Sequence, residues 1–281
     1  MEKAPRQTGR NINLAVSARE AKPSKAKEDK PKLMVRILDV IMFVSIIMTF
    51  LGLPLFFTGL SFQGIVFEKQ IFFYFWTLIA LISWAGKGVI TGEMKIRRTP
   101  LDIPIVLFWL VYLLATIFSV DRWHSFVGLF GDPSRGFMSI TAVVIFYYII
   151  MSNFSERMFR WVMGAIVLAG TIVIAWSTLG VMGINFLPEK IASYAPLSLI
   201  GSVSGLGMFL AVMVPILITV VFKLRSSEEM GELMKNILTG AMIVLLVLNI
   251  FMLMTLYGFV PWIGFMIGIG FFLIFILSRI I

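Results

Sequence analysis

The chain has 281 residues, of which 59% are hydrophobic and only 14% charged, with a net charge of +9 and a mean hydropathy of +0.96. A soluble domain of this length needs about a quarter of its residues charged to cover its surface, so the composition excludes that class. Apolar runs of about 18 or more residues recur, each long enough to cross a hydrocarbon core about 30 Å thick. The sequence therefore predicts an all-α, polytopic transmembrane helical bundle in a lipid bilayer.

The residue inventory also limits the chemistry. There is no cysteine, which excludes disulfides and thiolate-ligated metals. Since the chain has one histidine and few acids, we expect no metal site and no cofactor. The signatures of nucleotide-binding P-loops, zinc proteases and serine-hydrolase elbows are missing as well.

The chain divides into a polar tail and an apolar domain. Residues 1–36 are rich in Lys, Ala, Pro and Glu and hold few large apolar residues, which predicts a disordered basic tail. Residues 37–281 form the predicted transmembrane domain. Its eight predicted spans are roughly 37–57, 71–90, 101–118, 136–152, 161–182, 205–222, 237–257 and 259–277. No Asp, Glu, Lys or Arg lies near the middle of a predicted span, which disfavours ion-coupled transporters and voltage sensors.

The distribution of Lys and Arg predicts the orientation. With the N-terminus in the cytoplasm, twenty of these residues lie on the cytoplasmic side and four on the outer side. The basic excess is then explained by topology and by attraction to anionic lipid, so we expect no nucleic-acid partner. The stretch Ser119–Gly136 falls on the outer face, together with the longer aromatic and glycine-bearing loops.

The outer stretch holds the first candidate site residues. Each outward cation has an acid close in sequence, since Glu68 precedes Lys69, Asp121 precedes Arg122, Asp132 comes three before Arg135, and Glu189 precedes Lys190. These pairs are typical of neutralised surface charges, which contribute little to stability. We favour that interpretation for the two lysines. The alternative is that an arginine binds an anionic group at the membrane surface through its planar fork.

Arg135 is the strongest candidate for such a role, with Arg122 second. Arg135 lies in "GDPSRG" at the predicted start of a span, where a helix N-terminus adds positive potential. Asp121 and Asp132 are expected to help hold the loop in shape. The single histidine, His124, could act as a general base. However, "DRWHSF" also reads as an interfacial segment anchored by aromatic residues, and we favour that interpretation.

Small and polar residues in the later spans allow two interpretations. Gly201 with Gly205, and Gly264 with Gly268, have the small-xxx-small spacing of closely packed helices. Alternatively, "GSVSG" opens a polar cleft, whose candidate lining residues are Gly201, Ser202, Ser204 and Gly205. Asn249, a lone amide deep in the seventh span, is expected to bond across a helix interface.

Three segments, in order, resemble motifs of the O-antigen ligase and O-antigen polymerase-like family. The first, "TIFSVDRWHSFVGLFGDPSRGFMSI", carries the likeness at Ser119, Asp121, Ser125, Phe126, Gly128, Arg135 and Gly136. The second, "SLIGSVSGLGMFLAVMVPILI", carries it at Gly201, Gly205, Leu210, Ala211 and Pro215. The third, "MLMTLYGFVPWIGFMIG", matches through Thr255, Gly258 and Gly264. The likeness covers roughly residues 35–280.

The resemblance implies a GT-C-like membrane glycosyltransferase of the bacterial inner, or cytoplasmic, membrane. Such enzymes transfer a glycan from a polyprenyl diphosphate carrier to a glycan, lipid or protein acceptor at the outer face. By this likeness Arg135 and Arg122 would bind the diphosphate, while Ser125, Gly128 and Gly136 would support the loop. Stabilisation of a diphosphate leaving group by arginine agrees with general electrostatics.

The sequence departs from the family pattern in two ways. The third segment lacks the arginine of the family motif, because Leu256 and Tyr257 precede Gly258. Family members also have ten or more spans and a large outer loop with a histidine, so this chain resembles their N-terminal portion with a degenerate third motif. The alternative function is a non-catalytic membrane protein that binds or transports lipid-linked oligosaccharide, or serves as a scaffold.

Overall fold

A computed structural model describes residues 25–58, 64–94, 96–130, 132–184, 199–226, 231–256 and 258–280. In this part of the chain the structure is helical and contains no β-strand, which confirms the predicted all-α class. The helices are α1 (Lys25–Leu55), α2 (Ile65–Thr91), α3 (Asp102–Ile117), α4 (Arg122–Val127), α5 (Phe137–Ser152), α6 (Glu156–Val181), α7 (Val203–Arg225), α8 (Glu232–Thr255) and α9 (Phe259–Ile280).

A helix corresponds to each of the eight predicted spans, but they differ in length. Five are long and apolar enough to cross a membrane, namely α1, α2, α6, α7 and α8. The apolar helices α3 and α5 have 16 residues each. At a rise of 1.5 Å per residue, these extend about 24 Å, less than the hydrocarbon core of about 30 Å. The five long helices indicate a multi-pass membrane protein.

Four helices, α1, α2, α6 and α8, begin at least five residues earlier than predicted, and the starts of α1 and α2 change the interpretation of charged residues. The first starts at Lys25 rather than near residue 37, so residues 25–36 of the predicted tail are helical, while residues 1–24 lie outside the described residues. Lys, Glu and Ala, which dominate its first turns, are good helix formers. The second starts at Ile65 rather than near residue 71. Its charged pair Glu68 and Lys69 therefore lies in the helix and not in a loop.

The core consists of two clusters that share one helix. The first packs α6, α7 and α8 around buried residues such as Val173, Leu210 and Met252. The second packs α1, α2, α5 and α6 around Ile46 and Ile149, among others. Since α6 contributes to both clusters, it joins the two halves of the bundle.

Small residues bring α7 and α9 together, as their spacing predicts. A Cβ placed on Gly264 would lie 3.8 Å from the Ala211 Cβ, and one on Gly268 would lie 3.7 Å from the Pro215 Cγ. These are ordinary van der Waals contacts, which confirms that this glycine pair lines a helix interface. The amide of Asn249, which is fully buried, donates to the Leu210 carbonyl at 3.2 Å and confirms the predicted cross-helix bond from α8 to α7.

Candidate functional site

The loop that joins α3 to α5 is ordered by its own carboxylates. Asp121 caps α4, since its side chain accepts from the His124 backbone N–H at 3.1 Å. It also contacts the His124 Nδ1 at 2.5 Å. The His124 N–H, and then the His124 ring, hold the pKa of Asp121 below its usual value. Nearby, the Ser125 hydroxyl donates to the Ser119 hydroxyl at 2.6 Å, which links α4 to the residues directly before it.

Asp132 has the same capping role at the second short helical element of the loop. It caps the 3₁₀ turn Pro133–Arg135 by accepting from the Ser134 N–H at 3.2 Å and from the Ser134 hydroxyl. The interpretation of these acids as partners of the neighbouring arginines is therefore wrong. Arg122 and Arg135 are both exposed, and within the described ranges no carboxylate lies within 4.0 Å of either guanidinium. A helix cap competes for the carboxylate more effectively than an exposed ion pair.

Two glycines allow the loop to fold back on itself. Gly128 has a φ of +104°, and a Cβ there would lie 2.4 Å from the Pro133 Cα. A Cβ on Gly136 would lie 2.5 Å from the Val127 carbonyl carbon. Because backbone atoms occupy both positions, any side chain would separate α4 from the 3₁₀ turn. These glycines thus set the shape of the segment that presents Arg135.

Neighbouring helices fix the 3₁₀ turn through its carbonyl groups. The Tyr112 hydroxyl of α3 donates to the Arg135 carbonyl, and the buried Ser139 hydroxyl of α5 donates to the Pro133 carbonyl. Ser139 in turn accepts from the Gln70 amide of α2 at 3.2 Å. The Arg135 backbone is therefore positioned by three helices, while its side chain stays exposed.

A cleft opens beside this turn, which we name the Lys69 cleft. It has a volume of about 490 Å³ and lies among the end of α1, the start of α2, the 3₁₀ turn and the start of α7. Most of its surface is apolar, with polar groups from Lys69, Gln70, Ser134, Ser139 and Ser202. A mostly apolar concave surface with a few convergent polar groups is the usual form of a small-molecule site. Arg135 follows the lining residue Ser134 directly in sequence and is exposed, but is itself not among the lining residues.

Lys69 differs from the exposed lysine that its sequence context predicts. Only 9% of Lys69 and 7% of Glu68 are exposed, so the interpretation of this pair as a surface ion pair is wrong. The Lys69 ammonium donates to the carbonyls of Leu53 at 2.5 Å and Pro54 at 2.7 Å, at the end of α1. When protonated, a lysine ammonium has three donors, of which these two carbonyls use two among the described residues.

Glu68 points away from the Lys69 cleft toward the α1–α2 connection. Its carboxylate accepts from the Thr58 N–H at 2.6 Å and from the Thr58 hydroxyl at 2.7 Å. It lines a separate groove with Phe56, Phe67, Phe72, Phe75 and Trp76, which we name the aromatic groove. The two charges of the pair therefore belong to different cavities. Lys190 lies outside the described residues.

The "GSVSG" segment is divided between packing and the cleft. Ser202 caps α7 by accepting from the Gly205 N–H at 3.1 Å, and both residues line the Lys69 cleft. Gly201 has a φ of +90°, and a Cβ there would lie 2.9 Å from the Ile65 Cβ, so this glycine serves the contact between α7 and α2. Ser204 is exposed and lies outside the described lining.

The structure brings the first two sequence motifs together at the Lys69 cleft, whereas the third packs against the second through Gly264 and Ala211 and adds no described residue to the cleft lining. Ser134 of the first motif and Ser202 of the second line the same cleft. In the third, the Thr255 hydroxyl donates back to the Met252 carbonyl at 2.8 Å. Gly258 packs on Pro261, since a Cβ placed on Gly258 would lie 3.2 Å from the Pro261 Cδ. Sequence reasoning missed Lys69 and Ser139. Apolar residues lie on both sides of "EKQ", and this pattern could have predicted that α2 begins before Glu68.

Comparison with protein-family models, curated proteins and solved structures finds no match for this chain. Its class is therefore assigned from the structure alone, as an all-helical protein with several candidate membrane spans and a mostly apolar cleft with a few polar groups at one end of the bundle.

Proposed function

We propose that the protein binds a lipid-linked diphosphate in the Lys69 cleft and acts in cell-surface glycan biogenesis. The observation that carries the proposal is the convergence of the first two family-like motifs on this one cleft. The activity that fits the resemblance is O-antigen ligase-like transfer of a glycan from a polyprenyl diphosphate carrier to an acceptor. In that reaction the polyprenyl diphosphate is the leaving group.

The composition of the cleft supports a diphosphate ligand. Lys69 adds a positive charge when protonated, and Gln70 adds an amide. Ser134 and Ser139 already donate their hydroxyl hydrogens to Asp132 and to the Pro133 carbonyl, so Ser202 is the lining serine that offers a donor. The Ser202-capped start of α7 adds the positive end of a helix dipole. Arg135, which is exposed and follows the lining residue Ser134, provides a planar fork that matches phosphate oxygens. By contrast, the aromatic groove carries the Glu68 carboxylate, which repels an anion.

A second candidate function is binding of the lipid-linked glycan without turnover. It is favoured by the chemistry of the polar lining, which consists of a lysine, an amide and serine hydroxyls among the described residues. Of these groups, the lysine, the amide and the Ser202 hydroxyl can donate hydrogen bonds to phosphate oxygens. Transfer to an acceptor hydroxyl also requires a general base, a role that is usually filled by histidine or a carboxylate.

The orientation and full span count belong to the same proposal. We place the N-terminus in the cytoplasm and the Lys69 cleft at the outer face of the inner membrane, as the Lys and Arg distribution favours. We also propose that α3, α5 and α9 cross the membrane with the five longer helices. A locally thinner bilayer would accommodate the 16 residues of α3 and α5.

Binding of polyprenyl diphosphate to the purified full chain tests the proposed function. We expect Arg135→Gln to weaken binding about tenfold, because one charge-assisted contact to phosphate is lost. Arg97→Gln removes the same charge from an exposed residue in the connection between α2 and α3, at the other end of the bundle, and should leave affinity unchanged. Equal affinity of the wild type for polyprenyl alcohol and polyprenyl diphosphate would contradict the proposal.

Glycan transfer in cells separates the two candidate functions. If the protein is a transferase, Arg135→Ala should abolish glycan transfer while its amount in the membrane stays normal. If it is a binding protein, purified protein should bind lipid-linked glycan but release no polyprenyl diphosphate when an acceptor is added. Release of polyprenyl diphosphate in that assay would exclude the non-catalytic function.

A further inference from the structure

A second groove lies between α6 and α7, and its lining differs from that of the Lys69 cleft. Its volume is about 580 Å³. The lining residues from α6 are Phe159, Arg160, Met163, Gly164 and Val167, and those from α7 are Pro215, Ile216, Thr219, Val220 and Lys223. We name this cavity the α6–α7 groove. Both walls belong to candidate membrane spans, so the groove is placed where it can receive a lipid chain.

The spacing of the lining residues places both cations at one end. Along α6 the lining runs from Arg160 to Val167, and along α7 it runs back from Lys223 to Pro215. Because residues three and four apart share a helix face, each set forms one continuous strip. Seven residues at 1.5 Å each give an apolar length of about 10 Å beyond the cations. The groove is therefore amphipathic along its axis, with a positive mouth and an apolar body.

The two cations of the groove have no acidic partner among the described residues. Arg160 and Lys223 are both exposed, and across the described part of the chain no carboxylate lies within 4.0 Å of either. The Thr219 hydroxyl donates to the Pro215 carbonyl at 2.8 Å, so it is already satisfied by its own helix. A Cβ placed on Gly164 would meet no atom within 4 Å, so the groove is open at that point.

We infer that the α6–α7 groove binds an anionic phospholipid of the surrounding bilayer. The headgroup phosphate lies between Arg160 and Lys223, and an acyl chain lies along the strip toward Val167 and Pro215. Two cations at the mouth attract the negative charge of an anionic headgroup, and the apolar walls suit a hydrocarbon chain. This site is separate from the proposed diphosphate cleft, which is lined by the end of α1 and by the first turns of α2, α5 and α7.

Native mass spectrometry of the detergent-purified full chain tests this inference, with phosphatidylglycerol and phosphatidylcholine of matched acyl chains as probes. We expect tighter binding of phosphatidylglycerol. The double variant Arg160→Gln, Lys223→Gln should weaken it about 30-fold and leave phosphatidylcholine unchanged. The matched control, Arg157→Gln with Arg225→Gln, removes the same charge from the same two helices outside the groove lining and should bind as the wild type does.

A third variant separates a groove from a simple charged surface. Gly164→Leu fills the open point of the groove while it keeps both cations, so binding of both lipids should fall about tenfold. The inference is overturned if Gly164→Leu binds like the wild type, if the control pair loses as much affinity as the test pair, or if millimolar inorganic phosphate displaces the lipid. Thermal unfolding of each variant verifies that it is folded.

Discussion

At the scale of single residues, the acids of the α3–α5 loop serve the backbone. Asp121 directly precedes Arg122, and Asp132 comes three residues before Arg135. Each aspartate nevertheless caps a short helix. As a result Arg122 and Arg135 remain available to ligands in solvent or at the membrane surface. The two aspartates and two arginines still balance in charge, but within the described residues the arginines are not held in ion pairs.

This use of Asp121 predicts a pH dependence of α4. Because hydrogen bonds from His124 lower its folded-state pKa below 3.8, the stabilisation is complete above that value and is lost as the pH falls through the folded pKa. We therefore expect the α4 amides to keep their protection between pH 7 and pH 5 and to lose it in stronger acid. Hydrogen exchange of the 119–128 peptide, corrected for intrinsic rates, measures this. Asp121→Ala, which has no side-chain acceptor, should show low protection at every pH; the same acid-dependent loss in that variant would contradict the cap.

At the scale of elements, glycine positions separate backbone contacts from open helix surfaces. Gly136→Ala should lower the free energy of unfolding by about 1–3 kcal/mol, because its Cβ would overlap the Val127 backbone. Gly240→Ala lies in the body of α8, where a Cβ meets no atom within 4 Å. There alanine should be neutral or stabilise by up to about 1 kcal/mol.

Thermal unfolding of the two variants in the same detergent measures the difference. A lower unfolding temperature for Gly136→Ala alone is expected. Similar shifts for both variants would show that the loop does not depend on close backbone contact at Gly136.

At the scale of the whole molecule, the absence of cysteine makes the topology directly measurable. Single cysteines can be placed at Val120, Glu93 and Phe154, which are exposed and flank α3 and α5. If both short helices span the membrane, a membrane-impermeant maleimide should label Val120→Cys in intact cells. Glu93→Cys and Phe154→Cys should react only after the cells are permeabilised. Labelling of all three from the same side would show that α3 and α5 do not cross.

The sequence predicts the helices of the molecule better than it predicts where they begin. Apolar runs placed a helix at every predicted span, because hydrophobic length is a strong signal for helices in lipid. The early start of α2 was not predicted, because Glu68 and Lys69 interrupt the apolar pattern. Their burial depends on carbonyls and a threonine from residues 53–58, a tertiary arrangement that local sequence does not encode.

The residues of the candidate site were also predicted only in part. The motif residues Ser202 and Gly205 were identified from sequence as candidate cleft residues, and both line the Lys69 cleft. Ser139 and Lys69 were missed, because each belongs to an apolar helix whose partner in the cleft lies far along the chain. Residues that meet only through packing need a structure to identify them.

The central claim is that a lipid-linked diphosphate occupies the Lys69 cleft, and photocrosslinking tests it most directly. A polyprenyl diphosphate carrying a diazirine next to the diphosphate would be activated in native membranes that contain the full chain, and labelled peptides would be mapped. We predict labelling at the start of α2, the Ser134 turn and the start of α7, with loss of labelling when unlabelled polyprenyl diphosphate is added. Labelling confined to the α6–α7 groove or the aromatic groove, or labelling that unlabelled ligand does not reduce, would contradict the claim.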